Sequence, residues 1–404
     1  MDKELLKGKK VLLGVTGSIA VYKALELIRL YIKAGADVKV IMSEEAKRFI
    51  TPLTFEAISQ HTVLHVKTES WGENLNNHIS AGKWADIFVI APLSVNTLNK
   101  LRHGIADNLL TQTAIACSKP IVLAPSANTN MMLHPITLKS IDALQALGYH
   151  IIAPQRKLLA CNDEGIGALA DIETIFFETA KILLQEEFWA ERDVLISGGG
   201  TIEKIDDVRC ISNFSSGKQA SALALAYYLK GARVTLITSG EVPTNITIQS
   251  LQVKSSFELK TALVEQMNAL QNSKKSPYLV MCAAVSDYIP LQSVQGKLKK
   301  ETLGEFYTIE LKRNEDILSH LPKKGFKVIG FKAELDEKVA HENAKAMMRS
   351  KGLDAVCLNI IASSNAFGSA QNEIYFYDAK DVQKISLSSK FVVAQTIVEL
   401  SSTL

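Results

Sequence analysis

Eight polar side chains crowd a single connection in the middle of the chain, where residues 194–218 read VLISGGGTIEKIDDVRCISNFSSGK. An apolar run, Val194–Ser197, predicts a buried strand. Three glycines follow it at once, so the backbone can turn tightly and bring bare N–H groups up to a phosphate. The capacity for hydrogen bonding exceeds what a turn needs and predicts a nucleotide site, whose polar residues are Thr201, Asp206, Asp207, Arg209, Asn213, Ser215, Ser216 and Lys218.

A second glycine-containing segment, Ser212–Lys218, opens a helical run at Gln219–Leu229 and would place further N–H donors at a helix N-terminus. The spacing of the glycines departs from GxGxxG, so the segment is not the dinucleotide fingerprint. A plain glycine-rich strand-to-helix turn is the alternative interpretation. The density of polar side chains favours nucleotide binding over this alternative.

A similar strand, turn and helix stand near the start of the chain. Lys10–Val15 is a short apolar run, Gly14–Ser18 reads GVTGS, and an amphipathic helix follows that ends near Gly35. The next predicted strand, Val38–Met42, ends at Ser43, a second polar group at the same sheet edge. A glycine- and serine-containing turn before a helix N-terminus predicts a second phosphate site.

Strands alternate with helices through both halves of the chain. This alternation predicts an α/β fold of two doubly wound, Rossmann-like parallel-sheet domains in tandem, with ligands at the carboxyl ends of the strands. The acidic segment Leu183–Glu191 is predicted to be helical and to join the domains, which we place at residues 1–187 and 188–404. The further predicted strands are Asp86–Ala91, Pro120–Ala124, Arg233–Ser239, Tyr278–Ala284, Lys327–Lys332 and Ala355–Ile360.

Composition narrows the class of protein. A length of 404 residues predicts two or three domains, and a hydrophobic content of 47% is ample for their cores. The net charge is +3 and no basic tract stands out, so neither nucleic acid nor a membrane surface is an expected partner. The charged N-terminus lacks the apolar core of a signal peptide, which predicts a cytoplasmic protein. The five cysteines form no CxxC pair and no spacing typical of zinc, and we expect reduced thiols.

Five motifs in the first half resemble those of flavin-containing cysteine decarboxylases, in the same order as in that family. The resemblance spans residues 1 to about 180. The motifs are GVTGSIAVYK (14–23), HIS (78–80), APLSVNTLNKLRHGIADNLL (91–110), PSANTNMM (125–132) and LLACNDEGIG (158–167).

The resemblance implies a set of site residues. The FMN phosphate would be held by Gly17 and Ser18 at the helix start, with Ser43 and Ser94 as further contacts. His78 matches the family's catalytic histidine, Asn128 the asparagine that grips the substrate carboxylate, and Cys161 an acid on a mobile flap. The implied chemistry oxidises a substrate thiol to a thioaldehyde, from which CO₂ leaves easily.

Each of these three residues also has a plainer interpretation. His78 could be a solvated side chain, Asn128 a turn or helix-cap residue, and Cys161 a small core residue. Their joint presence in the family's order favours the catalytic interpretation. The chain departs from the family's usual residues at Ala127, Asn162 and Ala168, and the last replaces an arginine that would contact the substrate.

The second half resembles phosphopantothenate-cysteine ligases. The motifs are the central segment 194–218, CAAVSDY (282–288), GKLKK (296–300), KRNEDIL (312–318) and GFKAE (330–334). Taken together, residues 8 to about 400 resemble the bacterial bifunctional enzymes of coenzyme A synthesis. That family uses CTP and Mg²⁺ to make an acyl-cytidylate of phosphopantothenate, which it condenses with cysteine.

The resemblance implies that Asn213 acts on the acyl-cytidylate and that Lys297 has a catalytic role. The resemblance does not identify which residues bind Mg²⁺. Lysine clusters such as the one around Lys297 are otherwise usually solvated loops, and Asp287 could be a turn residue. The implied CTP contacts are Ala283, Asp287, Lys297, the backbone of Glu315, Asp316, Ile317 and Leu318, the aromatic ring of Phe331, and Lys351.

The register of the basic helix after GFKAE has two readings. The family has two lysines four residues apart on this helix. Counting back from Lys351 places Met347 at the first of them, whereas counting forward from Phe331 gives Lys345 and Arg349. Both registers remain open, and Cys210 replaces a usual aromatic residue.

Two other classes of function compete with the bifunctional enzyme. One is a catalytically silent FMN-binding regulatory protein, and the other is an NAD-dependent oxidoreductase, which the absence of GxGxxG disfavours. The expected partners are phosphopantothenate, cysteine and CTP. The resemblance further implies a homo-oligomer, in which a trimeric decarboxylase half and a dimeric ligase half combine into a closed dodecamer.

Overall fold

The computed structural model describes residues 3–72, 76–159, 163–299, 304–361 and 368–404. The chain divides into two compact units, Met1–Leu184 and Gln185–Leu404. The division falls three residues before the predicted boundary. In the described residues, no helix combines the length and the apolar character needed to cross a bilayer.

A five-stranded parallel sheet, with strand order β2-β1-β3-β4-β5, forms the centre of the first unit. Its central strands are buried along almost their whole length, as expected of a parallel sheet covered on both faces. The strands are β1 (Lys10–Val15), β2 (Asp37–Met42), β3 (Ile87–Leu93), β4 (Ile121–Pro125) and β5 (His150–Ile151).

Helices flank this sheet, together with a 3₁₀ turn at Ala46–Arg48. The first helix buries Val21, Ala24, Leu27, Ile28 and Tyr31, a spacing that places one apolar stripe against the sheet. The helices are α1 (Val21–Lys33), α2 (Pro52–Ser59), α3 (His78–Trp84), α4 (Val95–Arg102), α5 (Leu109–Ala116), α6 (Thr129–Met132), α7 (Pro135–Ala146) and α8 (Ile172–Leu184).

A separate antiparallel hairpin of the first unit consists of β6 (Gln155–Leu158) and β7 (Glu164–Ala168). Leu159 N–H donates to the carbonyl of Asp163 at 2.9 Å at the end of the hairpin. Cys161 and Asn162, which the sequence places between these strands, lie outside the described residues.

The second unit contains an eight-stranded sheet of order β12-β11-β8-β13-β16-β17-β18-β19. Its first six strands are parallel to one another, β18 runs antiparallel to β17, and β19 runs antiparallel to β18. The strands are β8 (Asp193–Gly198), β11 (Arg233–Thr238), β12 (Gln249–Gln252), β13 (Tyr278–Met281), β16 (Lys327–Glu334), β17 (Ala355–Ile360), β18 (Gln371–Tyr377) and β19 (Val382–Ser389).

In the part of the second unit that the structure describes, two small antiparallel pairs and five helices accompany this sheet. The pairs are β9 (Ile202–Lys204) with β10 (Cys210–Ser212), and β14 (Tyr288–Pro290) with β15 (Leu311–Arg313). The helices are α9 (Lys218–Leu229), α10 (Ser256–Ala269), α11 (Ile317–His320), α12 (Glu337–Lys351) and α13 (Lys390–Ser401).

The prediction that Leu183–Glu191 is helical is wrong. Helix α8 ends at Leu184, and residues 187–191 form turns. The reason is the indole of Trp189, which is fully buried and packs with its ring centroid 4.9 Å from those of Tyr227 and Tyr278. Turning the chain into this aromatic cluster buries more apolar surface than an exposed helix would.

The predicted strand Tyr278–Ala284 ends earlier, at Met281. The hydroxyl of Ser197 accepts hydrogen bonds from the N–H groups of Cys282 and Ala283, at 3.1 and 3.2 Å. These N–H groups therefore leave the ladder, and residues 282–284 turn toward the glycine-rich end of β8.

Candidate active sites

A cleft of about 1120 Å³ lies at the carboxyl ends of the strands in the first unit. It is lined by the turns after β1, β2, β3 and β4 and by the β6–β7 hairpin. A site of this size can enclose a ligand as large as a mononucleotide cofactor. Five of the predicted site residues line it: Gly17, Ser18, Ser43, Ser94 and Asn128.

Thr16 holds the turns of this cleft together. Its side chain is fully buried; the hydroxyl donates to the carbonyl of Pro92 at 2.8 Å and accepts from the N–H of Ser94 at 2.7 Å. The hydroxyl of Ser18 lies 3.4 Å from that of Ser126, at the end of β4. These contacts join the ends of three neighbouring strands into one polar floor.

Gly17 is required by a close approach. A Cβ at this position would lie 2.7 Å from the Cβ of Glu45, so only glycine lets the first turn pack against the turn after β2. Within the described part of the chain, no side chain caps the N-terminus of α1. The cleft thus offers helix N–H groups and the positive end of the helix dipole to an anion.

Asn128 acts as a helix cap and also faces the cleft. Its side chain accepts a hydrogen bond from Asn130 N–H at 2.9 Å at the start of α6. The hairpin closes over this region, since Ala127 N–H donates to the carbonyl of Gly167 at 2.9 Å. Gly167 has φ +154°, and a Cβ there would lie 2.1 Å from the carbonyl oxygen of Ala127.

His78 does not line the cleft of its own chain. It is the first residue of α3, after Asn77, which forms a capping box with Ser80. The Nδ1 atom of His78 is buried and lies 3.6 Å from Oε1 of Glu69, just beyond hydrogen-bond length. The ring of Trp71 approaches the imidazole edge-on, with centroids 5.5 Å apart.

The second unit has a smaller cavity of about 180 Å³ at the glycine-rich end of β8. Of the predicted CTP contacts, Ala283 and Phe331 line it, as do Ser215, Ser216 and Lys218 of the predicted polar nucleotide segment. Asn213 immediately precedes the lining segment and donates from Nδ2 to the carbonyl of Val285 at 3.0 Å. A Cβ on Gly200 would come within 2.5 Å of the carbonyl oxygen of Asn213, so glycine is needed for this packing.

Asp206 organises the loop beside Asn213. Its carboxylate accepts hydrogen bonds from the N–H groups of Val208, Arg209 and Leu298, at 2.7, 2.6 and 3.0 Å, and from the Arg209 guanidinium. Burial alone would raise the pKa of Asp206, but these donors outweigh it and the pKa is lowered. The loop thereby fixes the backbone next to Lys297, whose side chain is exposed and does not line the cavity.

The other predicted CTP contacts are not among the residues that line this cavity. Asp287 is exposed, and its carbonyl accepts from Asn314 N–H at 2.7 Å. Glu315 pairs with Lys260 at 2.6 Å. The side chains of Ile317 and Leu318 belong to the buried core.

Lys351 pairs with Asp316 at 2.7 Å. Burial alone would raise the pKa of Asp316, but Lys351 and Ser319 lower it. Met347 packs on the core, whereas Lys345 pairs with Glu342 at 3.2 Å. The side chain of Lys351 therefore contacts Asp316, which is itself one of the predicted CTP contacts.

Several residues that line the smaller cavity were not predicted from sequence. They are Lys332, Asn372 and Lys390. Lys390 begins α13, far along the chain from β8, and no local pattern could have placed it there. In the described residues, no group of three or more His, Cys, Asp or Glu side chains could hold a metal ion.

Two doubly wound α/β units, each with a polar cleft at the carboxyl ends of its strands, define a class of two-domain ligand-binding proteins. Residues 2–184 match the Flavoprotein family model, and residues 189–403 match the DNA/pantothenate metabolism flavoprotein C-terminal domain. The chain is 36% identical over 400 residues to the coenzyme A biosynthesis bifunctional protein CoaBC of Haemophilus influenzae, covering 97% of each chain. It belongs to the CoaBC family of bifunctional coenzyme A biosynthesis proteins.

The match to CoaBC of Bacillus subtilis is similar, with 36% identity over 417 residues and 98% of each chain covered. Among solved structures, the FMN binding protein AtHal3 is 34% identical; the match covers 44% of this chain and 97% of that one, with a TM-score of 0.39. The predictions of the family, of the tandem α/β fold and of a bifunctional enzyme with decarboxylase and ligase activities are confirmed. This family membership separates the chain from NAD-dependent oxidoreductases.

Proposed function

We propose that the two domains catalyse consecutive steps. The C-terminal domain condenses 4′-phosphopantothenate with L-cysteine, using CTP and an acyl-cytidylate. The N-terminal domain decarboxylates the resulting 4′-phosphopantothenoyl-L-cysteine to 4′-phosphopantetheine, using FMN. The main support is the first-unit cleft, where Gly17, Ser18 and an uncapped helix N-terminus stand beside Asn128.

The residues of the cleft fit FMN. Gly17 and Ser18 line the cleft at the start of α1, where a phosphate can accept from backbone N–H groups, and the hydroxyls of Ser18, Ser43 and Ser94 supply further donors. FMN, when bound, supplies the hydride-accepting chemistry of the decarboxylation. Asn128 holds the substrate carboxylate, and Cys161 would supply a proton late in the reaction.

His78 must then reach the reaction from another copy of the chain. Its imidazole lies beside Glu69 and outside the cleft that its own chain forms. A cleft built between subunits reconciles this position with a catalytic role next to the substrate thiol. We infer a homo-oligomer with trimeric contacts between first domains and dimeric contacts between second domains, which close into a dodecamer.

Light scattering of the flavin-bound protein should give the mass of about twelve chains, because a trimeric and a dimeric symmetry combine into a closed shell. A variant lacking the second domain is expected to stop at the trimer. A monomeric mass with flavin still bound would contradict a cleft completed by a neighbouring subunit.

Mg²⁺ is proposed to enter the second domain with the CTP phosphates. Mg²⁺ is commonly held by one or two carboxylates together with substrate phosphates rather than by a cage of protein ligands. This agrees with the lack, within the described ranges, of a three-residue metal cluster. We also propose that the protein is located in the cytoplasm, as the sequence predicts.

The visible spectrum of the purified protein tests flavin binding. We expect an absorption peak at about 450 nm that remains after desalting, since the cleft encloses the cofactor. Replacing Gly17 with valine should remove this peak, because the added side chain would collide with Glu45. A colourless wild-type protein that also fails to bind added FMN would contradict the proposed cofactor.

A further inference from the structure

The imidazole of His78 has one ring nitrogen that is buried without a hydrogen-bond partner. Its Nδ1 atom is shielded from solvent, and no hydrogen bond reaches it within the described residues. Oε1 of Glu69 lies 3.6 Å from this nitrogen. Buried polar atoms without a partner are rare in native structures, because leaving such an atom unpaired costs free energy. The carboxylate beside Nδ1 is therefore a candidate for a contact that forms during the reaction.

Backbone hydrogen bonds hold Glu69 and His78 beside one another. Ser70, which follows Glu69, exchanges two backbone hydrogen bonds with Asn76, at 2.9 and 3.1 Å. The side chain of Asn77 donates from Nδ2 to the carbonyl of Ser70 at 3.3 Å, and Asn77 also caps α3, which His78 begins. The segment that carries Glu69 and the start of α3 are therefore one hydrogen-bonded unit.

The surroundings of the pair favour an interaction between its two members. No lysine or arginine in the described part of the chain lies within ion-pair distance of Glu69. The side chains of Glu69 and His78 are only 27% and 22% exposed, and the ring of Trp71 packs edge-on against the imidazole. A charge attraction is stronger at such a partly buried position than in open water. The carboxylate is thus free to interact with the imidazole.

A carboxylate beside Nδ1 decides which nitrogen of the imidazole can take up a proton. In a neutral imidazole, one nitrogen carries a hydrogen and the other is an acceptor. An ionised carboxylate only accepts hydrogen bonds, so the nitrogen that faces Glu69 carries the hydrogen and Nε2 keeps its lone pair. Catalytic hydrogen bonds commonly shorten when the substrate binds, which a separation of 3.6 Å allows.

We propose that Glu69 is a positioning residue of the decarboxylase, which holds the Nδ1–H group of His78 and leaves Nε2 to take the proton of the substrate thiol. The S–H bond breaks, its proton goes to Nε2, and no proton passes to Glu69. The imidazolium that forms then lies beside a negative charge, which stabilises it. The inference rests on the proposed function, in which His78 acts next to the substrate thiol. It adds a residue that lies outside all the sequence motifs of the first half.

The first test is the rate of CO₂ release from purified phosphopantothenoylcysteine by full-length, flavin-bound Glu69→Gln. Glutamine has the shape of glutamate but no charge, and its amide can donate to Nδ1 and so stabilise the wrong tautomer. We expect kcat to fall by about 10- to 100-fold, a part of the ~10²–10⁴-fold that a positioned base contributes. KM should change by less than about threefold, because Glu69 acts on the imidazole and not on the bound substrate.

Glu69→Asp separates a role of the charge from a role in packing. Aspartate keeps the negative charge but withdraws it by one methylene group, and charge attraction falls only gradually with distance. The kcat of Glu69→Asp should therefore lie between those of the wild type and Glu69→Gln. A residue that only packed would give the opposite order, because glutamine is closer to glutamate in size.

Asp37→Asn is the matched control, because Asp37 belongs to a second carboxylate–histidine pair of the same unit. Its Oδ1 lies 2.6 Å from Nε2 of His61. Asp37 begins β2, whereas the cleft lies at the carboxyl end of that strand. This variant should release CO₂ at the wild-type rate. In all three variants, the flavin absorption peak, the Tm and the synthesis of phosphopantothenoylcysteine from CTP should match the wild type.

Two results would overturn the inference. One is a Glu69→Gln protein whose kcat is within about twofold of the wild type or exceeds that of Glu69→Asp. The other is a Glu69→Gln protein that loses its flavin peak or its Tm together with its activity, because Glu69 would then have a structural role. The proposed function itself fails if the wild-type protein releases no CO₂ from this substrate, and the inference then fails with it.

Discussion

Replacing His78 with asparagine should abolish the release of CO₂ from phosphopantothenoylcysteine and leave its synthesis from CTP unchanged. A positioned imidazole in acid–base chemistry contributes about 10²–10⁴-fold to the rate, and asparagine cannot take up a proton. The substitution should be tolerated by the fold, because His78 is the first residue of α3 and the capping box is made by Asn77 and Ser80. The measurement is CO₂ release from purified phosphopantothenoylcysteine.

His103→Asn is the matched control. His103 is an exposed histidine at the C-terminal end of α4 in the same domain, and its replacement should leave CO₂ release unchanged. The spectrum of the His78→Asn protein should retain the flavin peak, since the residues proposed to hold the FMN phosphate, Gly17, Ser18, Ser43 and Ser94, are unchanged. Normal CO₂ release from this variant would show that His78 is only a surface residue.

The subunit origin of His78 can be tested by mixing variants. His78→Asn and Asn128→Asp are each expected to be inactive as decarboxylases. If the histidine acts in a cleft that a neighbouring chain supplies, oligomers assembled from both variants contain some intact sites and should regain CO₂ release. If His78 acted within its own chain, such mixtures would stay inactive.

Replacing Asn213 with aspartate should block the ligase step and spare the decarboxylase. In the structure, Nδ2 of Asn213 donates to the carbonyl of Val285 at 3.0 Å. An aspartate would turn a carboxylate oxygen against that carbonyl and add a negative charge beside a reacting acyl phosphate. Loss of one preorganised donor at such a centre costs about 10²–10³-fold in rate.

The measurement is pyrophosphate release and phosphopantothenoylcysteine formation, followed separately. Asn268→Asp provides the control, because Asn268 lies near the C-terminal end of α10 and its Oδ1 accepts from Gln271, a contact that aspartate keeps. Lys297→Gln is expected to weaken the CTP step itself. Wild-type rates of product formation in both Asn213→Asp and Lys297→Gln would contradict the assignment of this site.

The parallel strands could be predicted because a strand that is buried on both faces of the sheet needs a nearly continuous run of apolar residues. Lys10–Val15 and Ala355–Ile360 are short, nearly continuous apolar runs, and the structure has strands with these bounds. The antiparallel strands β18 and β19 have alternating or mixed polarity and depend on pairing with an edge that only the folded sheet provides. The prediction of a helix at Leu183–Glu191 was wrong because local helix propensity does not reveal that Trp189 packs into an aromatic cluster.

More residues of the first candidate site than of the second could be predicted from the sequence. Gly17, Ser18, Ser43, Ser94 and Asn128 all follow strands of one sheet, and turns at the carboxyl ends of parallel strands meet in space. In the second unit, the cavity takes Lys390 from α13, Asn372 from β18 and Phe331 from β16. Their meeting depends on the order of strands in the sheet, which periodicity and spacing do not encode.

The most direct test of the central claim is a coupled assay of the wild-type protein with phosphopantothenate, CTP, Mg²⁺ and cysteine, in which pyrophosphate and CO₂ are measured separately. We predict that pyrophosphate appears first, that CO₂ follows, and that the final product is phosphopantetheine. Omission of cysteine should suppress CO₂ entirely. Release of neither pyrophosphate nor CO₂ from a folded, flavin-bound protein would contradict the account.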